Sequence, residues 1–193
     1  TEGTFDPERM GVICGTGIAG ISSIEEQVTR GYDQGFHRVS PFFVPLAISN
    51  IVAAQISMAN GLKAHSSSVN TACAAGTDAI GQALRAIQYG EADLMLAGGS
   101  EASITKMGVG GFAALRALSQ SKDPDRASIP YDKERDGFVI GEGAGLLVLE
   151  EYEHAKARGA TILAELMGYG TTCDAFHVTA PDPGATQAVR CFE

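Results

Sequence analysis

Short apolar runs alternate along the chain with longer segments whose apolar residues recur every three or four positions. Apolar runs of four to eight residues, bounded by glycine or polar residues, are typical of buried strands. Such runs lie at 10–14, 93–97, 145–149 and 162–169, and the Ser-rich stretch 65–70 is also predicted to be extended. We expect the strand at 93–97 to end at the two glycines that follow it.

Helical spacing predicts the elements between these strands. The predicted helices cover 21–30, 45–60, 74–89, the glycine-rich stretch up to 118, and 151–158. Ser22 or Ser23 is expected to cap the first helix, and Gly61 and Gly90 to stop the second and third. The polar stretch 119–137 is predicted to be a surface loop. Strands that alternate with helices predict a single α/β domain on a mostly parallel sheet.

The composition narrows the possible functions. The chain has 193 residues, of which 45% are hydrophobic, and a formal net charge of −9. This apolar content supports a packed core, and the acidic balance argues against a nucleic-acid surface. No apolar run approaches the roughly 20 residues of a membrane-spanning helix, and residues 1–6 lack the pattern of a signal peptide. Because residue 1 is Thr and not Met, we expect the sequence to be an excerpt of a longer chain.

The cysteines and acidic residues do not form a recognisable metal site. Four widely spaced cysteines, with no C-x-x-C pattern, are typical of reduced thiols in a cytoplasmic protein. The segment from Asp132 to Glu142 resembles a calcium loop, but its closing Glu falls one position short and two basic residues lie within it. A solvated, ion-paired loop is the better interpretation, and no metal is expected.

Residues 15–20 read GTGIAG and match the G-x-G-x-x-G pattern of dinucleotide-binding proteins. They follow a predicted strand and open a predicted helix, as that fold requires. The second strand that should follow this helix, ending in an acidic residue, is missing. Close packing at a tight turn is therefore favoured, and an NAD-dependent dehydrogenase is kept as an alternative.

Cys73 is the strongest candidate for chemistry. An extended segment reaches it, a predicted helix begins directly after it, and small residues surround it in the sequence VNTACAAG at 69–76. The N–H groups at a helix N-terminus stabilise negative charge, which favours a thiolate and the oxyanion of a tetrahedral intermediate. The pattern alone leaves two interpretations open: a nucleophile, and a buried cysteine that acts as a small hydrophobic residue.

Several blocks together resemble the β-ketoacyl synthases, most closely the elongating enzymes of type II fatty-acid synthesis. Besides 69–76, the blocks are SPFFVP at 40–45, AGGSE at 97–101, GVGGF at 108–112, DKERDGFVIGEGAG at 132–145 and DAFHVTAP at 174–181. The resemblance covers the whole chain in family order. It implies a thiolase-like layered fold (αβαβα), of which residues 1–193 would be a single partial ketosynthase domain.

The resemblance also implies an activity and roles for particular residues. In this family a cysteine accepts an acyl chain from acyl carrier protein and condenses it with malonyl carrier protein by decarboxylative Claisen condensation. Cys73 would be that nucleophile, without a separate cofactor, in a homodimer. The remaining implied roles are acyl-pocket lining for Ile18, Phe43 and Phe112, pantetheine binding for His177 and Thr179, and carrier-protein docking for Arg38 and Arg116.

The chain also departs from the family pattern. The family's two catalytic histidines, in blocks of the type Asn-Ala-His-Gly-Thr and Gly-His, and its nearby lysine are expected beyond Glu193. None of the four histidines here lies in such a block. We therefore expect these residues alone to be acylated at most, without condensing two substrates. A non-catalytic ketosynthase-like scaffold, similar to a chain-length partner, is the second interpretation, although the presence of Cys73 argues against it.

Overall fold

The computed structural model describes residues 5–193. Its sheet contains four strands: β1 (Met10–Gly15), β2 (Ser66–Val69), β3 (Leu94–Glu101) and β4 (Gly143–Glu150). Their order across the sheet is β2-β1-β3-β4. β1 runs parallel to both β2 and β3, and β4 is antiparallel to β3. The prediction of a mostly parallel α/β sheet is confirmed.

Seven α-helices accompany the sheet in the described residues. They are α1 (Ile21–Gln34), α2 (Phe43–Ala47), α3 (Ile51–Asn60), α4 (Ala75–Gln88), α5 (Lys106–Ala114), α6 (Tyr152–Ala157) and α7 (Thr186–Phe192). Short 3-10 helices lie at Pro7–Arg9, Phe36–Arg38, Ala72–Ala74 and Pro124–Arg126. The predicted stops of α3 and α4 are confirmed, because Gly61 and Gly90 have the positive φ angles that end a helix, 66° and 73°.

Three predicted boundaries were wrong. Gly20 precedes α1 and no side chain caps that helix, so Ser22 and Ser23 lie inside it. The helix predicted over 45–60 is divided between α2 and α3, because Ile48 is extended with ψ of 145°. β3 does not end before the glycines: Gly98 and Gly99 continue it and pair with β1 and β4.

The strand predicted at 162–169 is absent, and residues 159–184 contain no helix or strand. A strand persists only where a neighbouring strand accepts its backbone hydrogen bonds. Within the described residues the sheet ends at β4, which pairs only with β3. The apolar run therefore has no strand beside it.

Alternate residues of β1 point to opposite faces of the sheet, and their side chains pack in two separate hydrophobic cores. Val12 and Cys14 pack with Ala53 and Leu62 beneath α3. Ile13 packs on the opposite face, in a cluster completed by Val69, Ala79, Ala83, Ala92, Met95 and Ala97. The alanines of α4 are among its most buried positions, whereas the larger side chains of Ile80 and Ile87 are only partly buried. Small side chains let this helix approach the sheet closely.

Candidate functional site

Three loops meet at one edge of the sheet. Because β1, β2 and β3 are parallel, their carboxyl ends lie at the same edge, where ligands bind in open α/β sheets. Ile18 follows β1, Cys73 follows β2, and Glu101 is the last residue of β3. The topology thus brings the predicted nucleophile, one predicted pocket residue and a carboxylate to the same edge.

Cys73 lies in the middle of the 3-10 turn Ala72–Ala74, and α4 starts directly after that turn. Its side chain is exposed, whereas that of Cys14 is buried. Ala72 has a φ of 50°, a left-handed conformation that costs a residue with a side chain about 1 kcal/mol or more. A strained turn that presents an exposed thiol at a helix N-terminus suits a nucleophile. The alternative of a buried structural cysteine does not apply to Cys73.

Glycines allow the strand ends to approach the start of α4. A Cβ on Gly15 would overlap the carbonyl of Ala75 and lie 2.6 Å from the Gly76 nitrogen. A Cβ on Gly99 would lie 3.2 Å from the Cα of Gly76. The start of α4, directly after the turn that contains Cys73, is therefore packed backbone against backbone on the ends of β1 and β3.

The glycine motif after β1 surrounds a carboxylate of the protein itself. The backbone N–H groups of Gly17 and Ile18 donate to Oε2 of Glu101 at 2.6 and 2.9 Å. The Thr16 hydroxyl donates to the same carboxylate at 3.2 and 3.3 Å. These are the N–H groups that a dinucleotide phosphate would need, and Glu101 already occupies them. This supports the interpretation that residues 15–20 form a closely packed turn. The dehydrogenase alternative rested on this motif alone, and the motif does not offer free N–H groups to a phosphate.

Buried Thr16 ties the Cys73 segment to this loop. Its N–H donates to the Val69 carbonyl at 3.0 Å, and its own carbonyl accepts from Asn70 Nδ2 at 3.2 Å. Its hydroxyl also accepts from the Ala19 N–H at 3.1 Å. The ends of β1, β2 and β3 therefore form one hydrogen-bonded network, which begins three residues before the nucleophile.

A second network joins the start of α4 to the segment that carries the predicted pantetheine residues. Asp78 accepts from the Thr71 hydroxyl at 3.1 Å and from the Tyr169 hydroxyl. Burial alone would raise the pKa of Asp78, but the hydrogen bonds from Tyr169, Gln82 and Thr71 outweigh it and lower that pKa. Burial and the neighbouring Asp78 carboxylate raise the pKa of Tyr169.

The predicted acyl-pocket residues lie on elements that surround α1. Ile18 precedes α1 and is 40% exposed. Phe43 begins α2 and Phe112 lies in α5, and both helices pack against α1. The Phe112 ring meets the Phe138 ring edge-on at 5.4 Å. The structure thus places these three residues on adjoining elements, and their role in binding stays a prediction.

The other predicted binding residues lie on exposed segments. His177 Nδ1 accepts from the backbone N–H groups of Thr179 and Ala180, both at 3.1 Å. Arg38 ends the 3-10 helix Phe36–Arg38, and Arg116 follows α5 with a φ of 56°. The side chains of His177, Thr179, Arg38 and Arg116 are all exposed.

The loop that resembles a calcium site is ion-paired. Arg126 contacts Asp132 at 3.3 Å and Glu134 at 2.9 Å, and Glu142 accepts from the Ile104 N–H. In residues 5–193 no three His, Cys, Asp or Glu side chains are grouped as metal ligands. Over the same residues, no helix is long and apolar enough to cross a membrane.

Sequence reasoning did not assign roles to Thr16, Asn70, Asp78, Glu101 and Tyr169. One signal could have identified Glu101, since an acidic residue at the carboxyl end of a buried strand reaches the edge where the glycine loop lies. The others depend on contacts between residues distant in sequence, such as the 91 positions between Asp78 and Tyr169.

Helices on both faces of the sheet and an exposed cysteine at the start of α4 define a thiolase-like α/β protein. The chain belongs to the β-ketoacyl synthase family, because the model of that family's N-terminal domain matches residues 1–155. It is 49% identical over 197 aligned residues to 3-oxoacyl-[acyl-carrier-protein] synthase 2 of Rhizobium meliloti, covering 100% of this chain and 46% of the relative. It is 51% identical to the synthase 2 of Vibrio cholerae over 186 residues, which cover 96% of this chain and 45% of that protein.

Solved structures give the same fold. A complex described as a type II polyketide synthase acyl-carrier protein with its ketosynthase bound to the hexaketide matches with a TM-score of 0.92 and 39% identity, over 100% of this chain and 49% of the matched one. A β-ketoacyl synthase from Burkholderia phymatum matches with a TM-score of 0.81 and 36% identity, over 95% of this chain and 45% of that one. The chain thus spans about half the length of the curated relatives it matches.

Proposed function

We propose that this chain carries the nucleophile-bearing part of a β-ketoacyl-[acyl-carrier-protein] synthase that elongates fatty acids. The observation that carries the proposal is the exposed thiol of Cys73 on a strained turn at the N-terminus of α4. Family membership and the relatives named synthase 2 support it.

The first half-reaction is transthioesterification. The Cys73 thiolate attacks the thioester carbonyl of an acyl chain carried on the phosphopantetheine arm of acyl carrier protein. The tetrahedral intermediate then expels the phosphopantetheine thiolate, which takes up a proton, and the acyl chain stays on Cys73 as a thioester. Because the acyl group arrives on this arm, the proposed reaction uses no separate cofactor.

The second half-reaction joins this acyl group to malonyl carrier protein, which loses CO2 to supply the attacking carbanion. The family histidines and lysine that assist this step have no matching blocks within residues 1–193. We therefore propose that these residues alone load an acyl chain without condensing it, as one partial ketosynthase domain. A homodimer and a cytoplasmic location complete the proposal.

The remaining site residues have proposed roles in binding. Ile18, Phe43 and Phe112 would line the acyl pocket from the elements around α1, and His177 and Thr179 would bind the pantetheine arm. Arg38 and Arg116 would contact the acidic carrier protein, for which a local positive charge is sufficient on an acidic chain. The exposure of both arginines is consistent with docking.

Intact mass spectrometry after incubation with an acyl carrier protein thioester tests the proposal. We expect a gain of one acyl group in the wild type and none in Cys73→Ala. Cys173→Ala is the matched control, because Cys173 is also exposed but lies in an irregular segment. This variant should be acylated like the wild type. A folded wild type with no gain, or a gain that persists in Cys73→Ala, would contradict the assignment.

A further inference from the structure

The glycine loop after β1 depends on one acidic side chain from the end of β3. Two consecutive N–H groups, those of Gly17 and Ile18, converge on a single oxygen of Glu101. Such a pair of N–H groups forms an anion-binding concavity. The Glu101 carboxylate lies 84 and 83 positions away in sequence, so no local preference of the loop places it there.

The loop conformation is costly without this support. Ala19 has a φ of 63°, which is unfavourable for a residue with a side chain. The Thr16 hydroxyl is a second side-chain support inside the turn, since it accepts from Ala19 and donates to Glu101. Hydrogen bonds to an ionised carboxylate are about twice as strong as neutral ones. Glu101 is therefore the main support of the turn.

Holding the Ile18 N–H fixes the position from which the Ile18 side chain extends. The same network reaches Asn70, three residues before Cys73, through the carbonyl of Thr16. A change at Glu101 would thus shift Ile18 relative to the nucleophile.

We propose that Glu101 is a positioning residue, whose carboxylate holds the Gly17–Ile18 turn so that Ile18 shapes the space for an alkyl chain beside Cys73. This inference rests on the proposed function for the identity of the chain, an acyl group. Glu101 itself touches no reacting atom.

The test measures how Cys73 reacts with two alkylating reagents, iodoacetamide and N-decyl iodoacetamide. The thiolate displaces iodide from each, and peptide mapping reports the rate at Cys73 alone. In Glu101→Ala we expect the rate with the decyl reagent, relative to iodoacetamide, to fall at least about fivefold. Glu101→Gln keeps an oxygen that accepts from both N–H groups, and its ratio should stay within about twofold of the wild type.

Glu142→Ala is the matched control. Glu142 also accepts from a backbone N–H, that of Ile104, in the loop after β3, but not from Gly17 or Ile18. In Glu142→Ala, the rate with N-decyl iodoacetamide relative to iodoacetamide should equal that of the wild type. If Glu101→Ala fails to fold, Thr16→Val removes the hydroxyl that supports the same turn and should lower the ratio in the same direction.

A second readout is independent of Cys73. The amide protons of Gly17 and Ile18 should resonate downfield in the wild type and move upfield in Glu101→Ala, while Glu142→Ala leaves them in place. Unchanged amide shifts or an unchanged reagent ratio in Glu101→Ala overturns the inference. Failure of acyl transfer in the wild type, with the ratio still dependent on Glu101, would instead overturn the proposed function.

Discussion

Gly15 shows how much the site depends on a residue that has no side chain. It ends β1 directly beneath the first residues of α4, and the atoms that a Cβ would meet belong to the backbone of Ala75 and Gly76. Backbone atoms cannot rotate away as a flexible side chain can. Any side chain at Gly15 must therefore displace α4, the helix that begins directly after the turn containing Cys73.

Gly15→Ala is predicted to lower the free energy of unfolding by about 1–3 kcal/mol, the usual cost of overpacking. Gly110→Ala is the matched control, because Gly110 lies inside α5 with open space where its Cβ would be. That control should gain up to about 1 kcal/mol from helix propensity. Urea unfolding of both variants measures the difference. Equal stability of the two variants would show that α4 does not pack on Gly15 as described.

At this scale the sequence identifies single residues better than it identifies their partners. Cys73 could be found because the residues around it are small and a helix follows. The partners of Glu101 could not be predicted, since Gly17 and Ile18 lie 84 and 83 positions away in sequence. The glycine motif itself suggested a phosphate, and only the three-dimensional contact shows that a carboxylate of the protein occupies the N–H groups.

The connection between β4 and α6 depends on one nearly buried carboxylate. Glu150 accepts two hydrogen bonds from Arg158, at 2.7 and 2.6 Å, and contacts His154 Nδ1 at 2.6 Å. The Arg158 hydrogen bonds hold the pKa of Glu150 below its ordinary value, against the opposing effect of burial and with support from His154. Its side chain is only 9% exposed, so solvent screens these interactions weakly.

Glu150→Gln is predicted to destabilise the chain by about 2 kcal/mol at pH 7. A carboxyl group with a lowered folded pKa stabilises the fold above its unfolded pKa of about 4.3, and this contribution disappears as pH falls through the lowered value. The stability difference between wild type and variant should therefore shrink below about pH 4. Unfolding curves from pH 7 to 3 measure it.

Glu153→Gln is the control for that prediction. Glu153 pairs with Lys156 at 3.1 Å, but its side chain is 70% exposed. An exposed pair of this kind contributes at most about 0.5–1 kcal/mol. A Glu150→Gln effect no larger than that of Glu153→Gln, or one that stays constant with pH, would contradict the proposed role of Glu150.

The segment after residue 160 is joined to α4 through Tyr169. The ring lies where a Cβ on Gly81 would be, and Arg85 lies 4.8 Å from its centroid. Gly81→Ala should displace the ring and break its hydrogen bond to Asp78. The raised pKa of Tyr169 should then return toward about 10.

An absorbance titration at 295 nm measures this change, with Tyr169→Phe to identify the contribution of this tyrosine. Gly110→Ala again serves as the control for an added methyl group. An unchanged titration in Gly81→Ala would mean that the Tyr169 ring does not lie on α4.

Elements with a clear local signal could be predicted from the sequence. Gly61 and Gly90 stop their helices because each adopts a positive φ, a property readable at one position. The strand predicted at 162–169 failed for the opposite reason, since a strand needs a partner and none pairs with it among the described residues. Ile48 divides the predicted helix over 45–60, where the end of α2 packs against Gly20, a contact between distant segments.

The molecule as a whole exposes more surface than its mass predicts. Its accessible surface is 13092 Å² for 20.0 kDa. A compact monomer of this mass would expose about 8,700 Å². Part of the excess is apolar: on β4, Leu146 and Val148, which lie on the same face of the strand, are 41% and 63% exposed. Apolar patches of this kind on an isolated chain promote association.

The 193-residue chain is therefore predicted to bind the dye ANS strongly and to self-associate at micromolar concentration, as measured by fluorescence and sedimentation velocity. Val148→Lys should reduce both effects, because it places a charge on the apolar face of β4. Val178→Lys is the control: Val178 is 97% exposed but lies in an irregular segment outside the sheet, so the variant should behave as the wild type. A monomeric wild type that binds no dye would show that the apolar surface of β4 is covered in solution, and the sheet would then have a further layer beside β4.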